Sequence, residues 1–389
     1  MRTQVCIIGG GPSGLLLSQL LHKAGIDTVV LERRTRDYVL SRIRAGVLEW
    51  GSVELLRDAG IGPRMDAEGF PHTGTYLALQ NRGFRVDFHK TTGKQVMVYG
   101  QTEVTSDLYK ARDAMDGIVI HEAEGVTPRA LDSTAPYVTY HKDGTERRVD
   151  CDFVIGCDGY HGVSRRSMPA NVLKEYERVY PFGWLGILSE TPPVDHELIY
   201  ANHSRGFALC SMRNANLSRY YVQAPVDDPI EKWTDDAFWD ELKRRIPEEA
   251  ADRLVTGPSI EKSLAPLRSY VAEPMRWGRL LLCGDAAHIV PPTGAKGLNL
   301  AIGDVKYAAD ALVAHFRHGD DSGLEQYSQK ALARVWGAIR FSWWFTTLMH
   351  RFPEQSDFDQ RIQETELEQL EASVAAQTVM AENYVGLPY

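Results

Sequence analysis

Gln4-Val5-Cys6-Ile7-Ile8-Gly9-Gly10-Gly11-Pro12-Ser13-Gly14 carries an apolar run straight into a cluster of glycines. Residues 15–21 continue at helical spacing and Thr28–Leu31 is a second short apolar run, so the pattern predicts strand, tight turn, helix and strand. Each glycine of the GxGxxG spacing has a task. Gly9 allows the sharp turn, Gly11 lets backbone approach a pyrophosphate, and Gly14 lets helix and sheet pack closely. Ser13 lies inside that turn, and the free N–H groups of the helix start favour an anion. Glu32 ends the second run, where a carboxylate accepts a ribose hydroxyl. Together these residues predict a dinucleotide-binding βαβ unit.

Two later segments narrow the choice of dinucleotide. Asp152-Phe153-Val154-Ile155-Gly156-Cys157-Asp158-Gly159 is a buried-strand pattern ending in Asp-Gly, and Arg279-Leu280-Leu281-Leu282-Cys283-Gly284-Asp285 is another ending in Gly-Asp. In this order the three fingerprints resemble those of the flavoprotein hydroxylases. The resemblance implies that Asp285 binds the ribityl chain of FAD and that Asp158-Gly159 lies near both FAD and a nicotinamide cofactor. No second strand–GxGxxG–helix unit follows, so the sequence encodes no separate nicotinamide-binding domain. Arg33, Arg34, Arg36, Arg42 and Arg44 instead crowd one segment of an acidic chain. Guanidinium forks match phosphate oxygens, which suits the FAD pyrophosphate and the 2′-phosphate of a transiently docked NADPH. The segment 291–299, Pro-Pro-Thr-Gly-Ala-Lys-Gly-Leu-Asn, opens a long helix whose N-terminus can stabilise negative charge on a reduced flavin.

The chain as a whole is similar to the 4-hydroxybenzoate hydroxylase family. The resemblance is carried by residues 38–49 (YVLSRIRAGVLE), 99–104 (YGQTEV), 179–184 (VYPFGW) and 382–388 (ENYVGLP). It implies an α/β fold: a doubly wound, Rossmann-like FAD domain interleaved with a β-sheet substrate domain, followed by a C-terminal helical region that helps form a homodimer. The expected division is 1–70, 98–180 and 268–320 for FAD, 71–97 and 181–267 for substrate, and 321–389 for the helical region. It further implies Arg42, Arg44, Gln101, Leu298 and Asn299 as FAD contacts, with Arg219 helping to hold and move the flavin. Arg33, Arg34, Tyr38, Arg42, Arg44, His161, Arg165 and Arg268 are the implied NADPH contacts. The implied reaction is NADPH- and O2-dependent hydroxylation of 4-hydroxybenzoate to 3,4-dihydroxybenzoate through a flavin C4a-hydroperoxide. A related FAD hydroxylase acting on another phenolic acid is the alternative.

A substrate site can also be read from strand periodicity. Ser211 and Arg213 share one face of a strand, as do Arg219 and Tyr221 on the next. A hydroxyl, a guanidinium and a phenol converging on one face suit a carboxylate. The resemblance assigns that role to Ser211, Arg213 and Tyr221. It places Tyr200 on the substrate phenol, Tyr384 as a proton relay and His72 as the solvent-side end of that relay, with Pro292 and Thr293 bordering the reacting hydroxyl. A tyrosine hydroxyl both donates and accepts, and a histidine near its ordinary pKa suits an outlet.

Composition limits the partners. The 389 residues include 43% hydrophobic and 24% charged side chains with a net charge of −9, an ordinary globular balance with no basic excess to neutralise nucleic-acid phosphates. Five cysteines without a CxxC pair suggest buried reduced thiols and a cytoplasmic setting. No apolar stretch approaches the roughly 18 residues that span a bilayer, and no metal-ligand spacing stands out. Gly83 and Gly93 are expected as turn points between hairpins, Asp143-Gly144 as a hairpin turn, 197–202, 206–213 and 218–224 as antiparallel strands, 235–246 as a helix capped by Thr234, and 358–381 as the closing helix. The tryptophan-bearing stretch 341–352 suits either core or a dimer interface.

Overall fold

Parallel pairing of Val5–Ile8 with Phe153–Gly156 on one side and Thr28–Leu31 on the other builds the centre of a six-stranded sheet. Leu280–Leu282 and Ile118–Ile120 extend it in parallel, and Arg276–Trp277 closes one edge antiparallel. The computed structural model describes residues 1–42 and 46–389. Strands from the start, middle and end of the chain thus meet in one sheet. The three central ones are buried along their whole length, as near-continuous apolar runs require. Pro12–Lys23 packs on this sheet, and the 22-residue helix Gly297–His318 packs against it in turn.

An eight-stranded sheet follows the order His288–Ile289, Ser259–Glu273, Lys174–Ser189, Leu217–Ala224, Ala208–Asn214, Ile199–Asn202, Gly74–Leu79, Arg82–Asp87. Its alternation decides which side chains reach the site. Ile199, Ala201, Ala208, Cys210, Tyr220 and Val222 turn to one face and pack with Phe238, Trp239 and Leu242 of helix Asp235–Arg245. Tyr200 and Leu209 turn to the other face, against Phe341, Phe345 and Tyr384 of the C-terminal helices. Two helices, Ser322–Met349 and Asp357–Ala372, and a third, Val374–Val385, form that C-terminal layer. The fold is therefore mixed α/β with C-terminal helices. Among the described residues, no helix is long and apolar enough to cross a membrane.

Several local expectations need correction. Gly83 lies inside the strand Arg82–Asp87 opposite Ala78, and the turn falls on Gln80-Asn81. Gln80 supplies the left-handed φ of 54° there, so the glycine serves close strand approach, with Leu77 O only 2.4 Å from where a Cβ would sit. Gly93 ends a short helix, Phe88–Thr92, with φ 69°. The closing helix is two helices, because Ser373 leaves helical geometry and its side chain caps Ala376 N. Asp143-Gly144 does form the hairpin turn, both residues with positive φ, and Thr234 caps Ala237 N as expected. The strands Lys174–Ser189 and Ser259–Glu273 pair with each other in the eight-stranded sheet and run without a break through residues 180–181 and 267–268.

Candidate active site

The glycine turn has the shape its spacing implies. Gly9 has φ 111° and a Cβ there would lie 2.2 Å from Cys157 O, while one on Gly14 would lie 2.0 Å from Gly9 O. A Cβ on Gly11 would meet nothing within 4 Å. The helix that follows has no side-chain cap at its start, so its first N–H groups face that open space. Glu32 Oε2 accepts a hydrogen bond from Gly10 N at 2.7 Å and Oε1 one from Arg34 N at 2.7 Å, which sets the carboxylate beside the turn with lone pairs to spare. Ser13 Oγ lies 3.0 Å from the Cβ position of Gly284, bringing the first and third fingerprints together.

Asp158 Oδ2 accepts from Val163 N, Ser164 N and Ser164 Oγ at 2.7–2.9 Å. Its Oδ1 is buried without a partner among the described residues, and burial raises the pKa of the carboxyl despite those bonds. Gly159 has φ 72° with open space beyond it, and Asp285 is exposed on the short turn Gly284–Ala286. An uncapped helix start, an open glycine cradle, a ribose-height carboxylate and an orphaned buried oxygen fit the pyrophosphate and sugars of FAD. Gln101 begins the helix Gln101–Ala114, and Leu298 packs half-buried against the core. The Asn299 side chain is committed to protein: it accepts from Glu49 N and donates to Val47 O and Ala295 O, each at 2.8 Å.

The implied nicotinamide contacts fall into two groups. Arg34 and Arg42 lie over the Tyr38 ring at 5.0 and 5.9 Å, with Arg33 exposed nearby in sequence. Arg36 instead pairs with Asp113 at 2.7 Å. Arg44 lies outside the described residues. His161, Arg165 and Arg268 surround Tyr160 at 4.9–5.1 Å. Arg165 is largely spent on the fold, donating to Ala286 O and Tyr160 O at 2.9 Å each, whereas His161 is exposed.

On the sheet face turned to the C-terminal helices, Ser211 stands opposite Arg219 and Leu209 opposite both Tyr200 and Tyr221. Arg213 Nη1 donates to Ser211 Oγ at 3.2 Å, and its Nε is buried without a partner among the described residues. Burial lowers the pKa of this guanidinium, and no carboxylate is within ion-pair distance of it there. Arg219 by contrast is neutralised by Glu261 at 3.0 Å and also bonds Ser263 Oγ at 3.0 Å. A buried cation without a counter-ion among the described residues has the charge to attract an anion.

The hydroxyls of Tyr200 and Tyr384 lie 2.8 Å apart, both buried. Burial, and then the neighbouring Tyr384, raise the Tyr200 pKa, so both phenols stay protonated and able to pass a proton on. His72 departs from expectation. It is fully buried rather than solvent-facing, and burial first, then His196, lower its pKa to about 4. Its Nε2 lies 3.4 Å from Met212 Sδ, its Nδ1 is unpartnered among the described residues, and the exposed His196 ring sits 5.1 Å away. A residue enclosed on a short strand between sheet and helices cannot be told from a surface histidine by its neighbours in sequence.

Pro292 is exposed at this site, and Thr293 is buried behind it. Thr346, on the helix Ser322–Met349, donates to Thr293 Oγ1 at 2.9 Å. Thr346→Val is expected to lower stability by about 1–3 kcal/mol, the cost of stranding a buried hydroxyl, in urea unfolding monitored by circular dichroism. A second network absent from the sequence reading lies below. Glu49 accepts from Lys296 at 2.6 Å and Arg334 at 2.7 Å, all three buried, and Lys296 also donates to Tyr384 O at 3.0 Å. Burial lowers the Lys296 pKa, and Glu49 beside it opposes that shift.

Comparisons with known proteins agree with this geometry. Residues 2–342 match the FAD binding domain family. The p-hydroxybenzoate hydroxylase of Acinetobacter baylyi is 55% identical across 100% of this chain and 96% of its own. The para-nitrophenol 4-monooxygenase of a Pseudomonas species is 26% identical over 83% of this chain and 81% of its own. In three dimensions, a p-nitrophenol 4-monooxygenase from Pseudomonas putida superposes over 100% of both chains with a TM-score of 0.83 at 17% identity, which is a likeness of fold. So is that of a Diels-Alderase of pyrroindomycin biosynthesis, with a TM-score of 0.79 at 22% identity over 99% of this chain and 81% of its own. The side chains, not the fold, separate such chemistries. With its cofactor cradle, its paired tyrosines and a relative this similar over its full length, the chain is an FAD-dependent aromatic monooxygenase and belongs to the p-hydroxybenzoate hydroxylases of the FAD binding domain family.

Proposed function

We propose that the protein hydroxylates 4-hydroxybenzoate to 3,4-dihydroxybenzoate, consuming NADPH and O2 and releasing NADP+ and water. The observation that carries the reading is one sheet face with an unpaired guanidinium at Arg213 and a hydrogen-bonded tyrosine pair at Tyr200 and Tyr384. One end of the substrate is a carboxylate and the other a phenol, and the two features match those ends. Ser211, Arg213 and Tyr221 bind the carboxylate. Tyr200 accepts the phenolic proton as Tyr384 passes its own onward, leaving a phenolate that directs electron density to the ortho carbon. His72, which burial keeps neutral, takes the far end of the relay and hands the proton on toward solvent, where the exposed His196 ring lies 5.1 Å away. Pro292 and Thr293 border the reacting hydroxyl.

Gly9, Gly11, Ser13, Gly14, Glu32, Arg42, Arg44, Gln101, Asp158, Gly159, Arg219, Asp285, Leu298 and Asn299 make up the FAD site in this reading. Bound FAD, reduced by a nicotinamide and reacting with O2, supplies the electrophilic oxygen. The division into FAD residues 1–70, 98–180 and 268–320, substrate residues 71–97 and 181–267, and a helical region 321–389 follows the same assignment. Exposed Trp343, Phe358 and Val379 on the C-terminal helices support a homodimer, and the five free cysteines suit the reducing cytoplasm.

Purified protein given NADPH and 4-hydroxybenzoate should form 3,4-dihydroxybenzoate, identified by chromatography. Absence of that product, with turnover of another phenolic acid in a substrate panel, overturns the substrate assignment. The surplus of arginines at Arg33, Arg34, Arg42 and Arg44 should favour a 2′-phosphate, with NADPH giving a higher kcat/KM than NADH. Equal efficiency with NADH would remove that role from the arginines.

A further inference from the structure

Asp304 lies within the helix Gly297–His318 and is 1% exposed. Its Oδ2 accepts from Gly284 N at 2.8 Å and lies 2.6 Å from Nε2 of His288, itself 1% exposed. Gly284 begins the turn that carries Asp285, and His288 begins a strand that pairs with Tyr270 and Val271 at the end of the eight-stranded sheet. One carboxylate oxygen therefore ties together the long helix, the fingerprint turn and the edge of the other sheet. The chemistry assigned above uses neither residue.

The turn needs such a hold. Gly284 is left-handed, with φ 62°, and a Cβ there would lie 3.0 Å from Ser13 Oγ and 3.1 Å from Ala301 Cβ, tighter than ordinary contact. Arg165 grips the turn by Ala286 O and Tyr327 grips the preceding strand by Leu282 O, at 2.9 and 2.7 Å. Asp304 grips the N–H of Gly284, directly before Asp285. A carboxylate buried this deeply is retained at a desolvation cost unless it is paired, and His288 is the pair.

We propose that Asp304, with His288 as its counter-ion, is a positioning residue that holds the Gly284-Asp285 turn in its FAD-binding shape. The proposal rests on the reading of that turn as part of the flavin site. Burial opposes a charge on His288, but Asp304 outweighs it and raises the pKa, in keeping with an ion pair.

The test is titration of apoprotein with FAD, followed by quenching of flavin fluorescence, for wild type, Asp304→Ala, Asp304→Asn and His288→Gln. Thermal midpoints are taken with and without FAD. Asp304→Ala should raise the Kd for FAD by about tenfold or more, the size of a lost buried charged hydrogen bond, and should shrink the FAD-dependent rise in Tm. Asp304→Asn should recover part of the affinity, because its amide oxygen still accepts from Gly284. A merely structural residue would lower the apoprotein Tm and leave the FAD-dependent rise intact. FAD affinities for Asp304→Ala and His288→Gln within about twofold of wild type overturn the proposal, and His288→Gln alone decides should Asp304→Ala fail to fold. Wild-type apoprotein that takes up no FAD would overturn the flavin reading of the turn itself.

Discussion

Arg213→Met is expected to raise the half-saturating concentration of 4-hydroxybenzoate by roughly 30- to 1000-fold, about 2–4 kcal/mol, while FAD binding stays unchanged. The guanidinium sits on the sheet face with an orphaned Nε and no carboxylate of the protein within ion-pair distance among the described residues. A bound carboxylate completes it, so its removal strands the substrate's charge. The substrate-free variant should be about as stable as the parent in thermal unfolding, because the buried cation gives up only its bonds to Ser211 Oγ and Met212 O and no ion pair among the described residues. Arg213→Lys should restore only part of the affinity, since an ammonium does not present the planar fork. A KM within a fewfold of the parent for Arg213→Met would remove the carboxylate site from this face.

Tyr200→Phe is expected to lower hydroxylation by about 100-fold or more, the usual scale for a lost acid–base group, with FAD binding intact. Phenylalanine fills the same space but ends the 2.8 Å bridge to Tyr384. The substrate phenol then loses its proton acceptor and the ring remains a poor partner for electrophilic oxygen. NADPH oxidation should continue with most of the reducing power diverted to hydrogen peroxide, so the ratio of product to NADPH consumed is the measurement to make. A ratio matching that of the parent would end the relay argument. Tyr384→Phe should share the phenotype in milder form, because Tyr200 still meets the substrate.

How much of this could be read along the chain differs from residue to residue. Gly9, Gly11 and Gly14 announce their turn by their spacing after an apolar run, although only the 2.0 Å contact of Gly14 with Gly9 O lies within the turn, while the 2.2 Å contact of Gly9 is with Cys157 O on a neighbouring strand's end. Ser211, Arg213, Arg219 and Tyr221 were legible as face-mates because side chains alternate along every strand, and the observed register pairs Ser211 with Arg219. Gly83 misled because a glycine inside a strand and a glycine in a turn look alike until the partner strand is known. His72 misled because burial is a property of surroundings, and its shift to about 4 comes from desolvation and from His196.

Amino-acid order alone determined the glycine cradle, the strands and helix that flank it, and the strand face that Ser211 and Arg213 share, since all of these follow from spacing and periodicity. Tertiary structure alone decided that Tyr200 meets Tyr384 across 184 positions, that Glu49 gathers Lys296 and Arg334, and that Asp304 grips Gly284. Those pairings form only where packing removes water, and the free energy of a charge or hydroxyl depends on that exclusion more than on its neighbours along the chain.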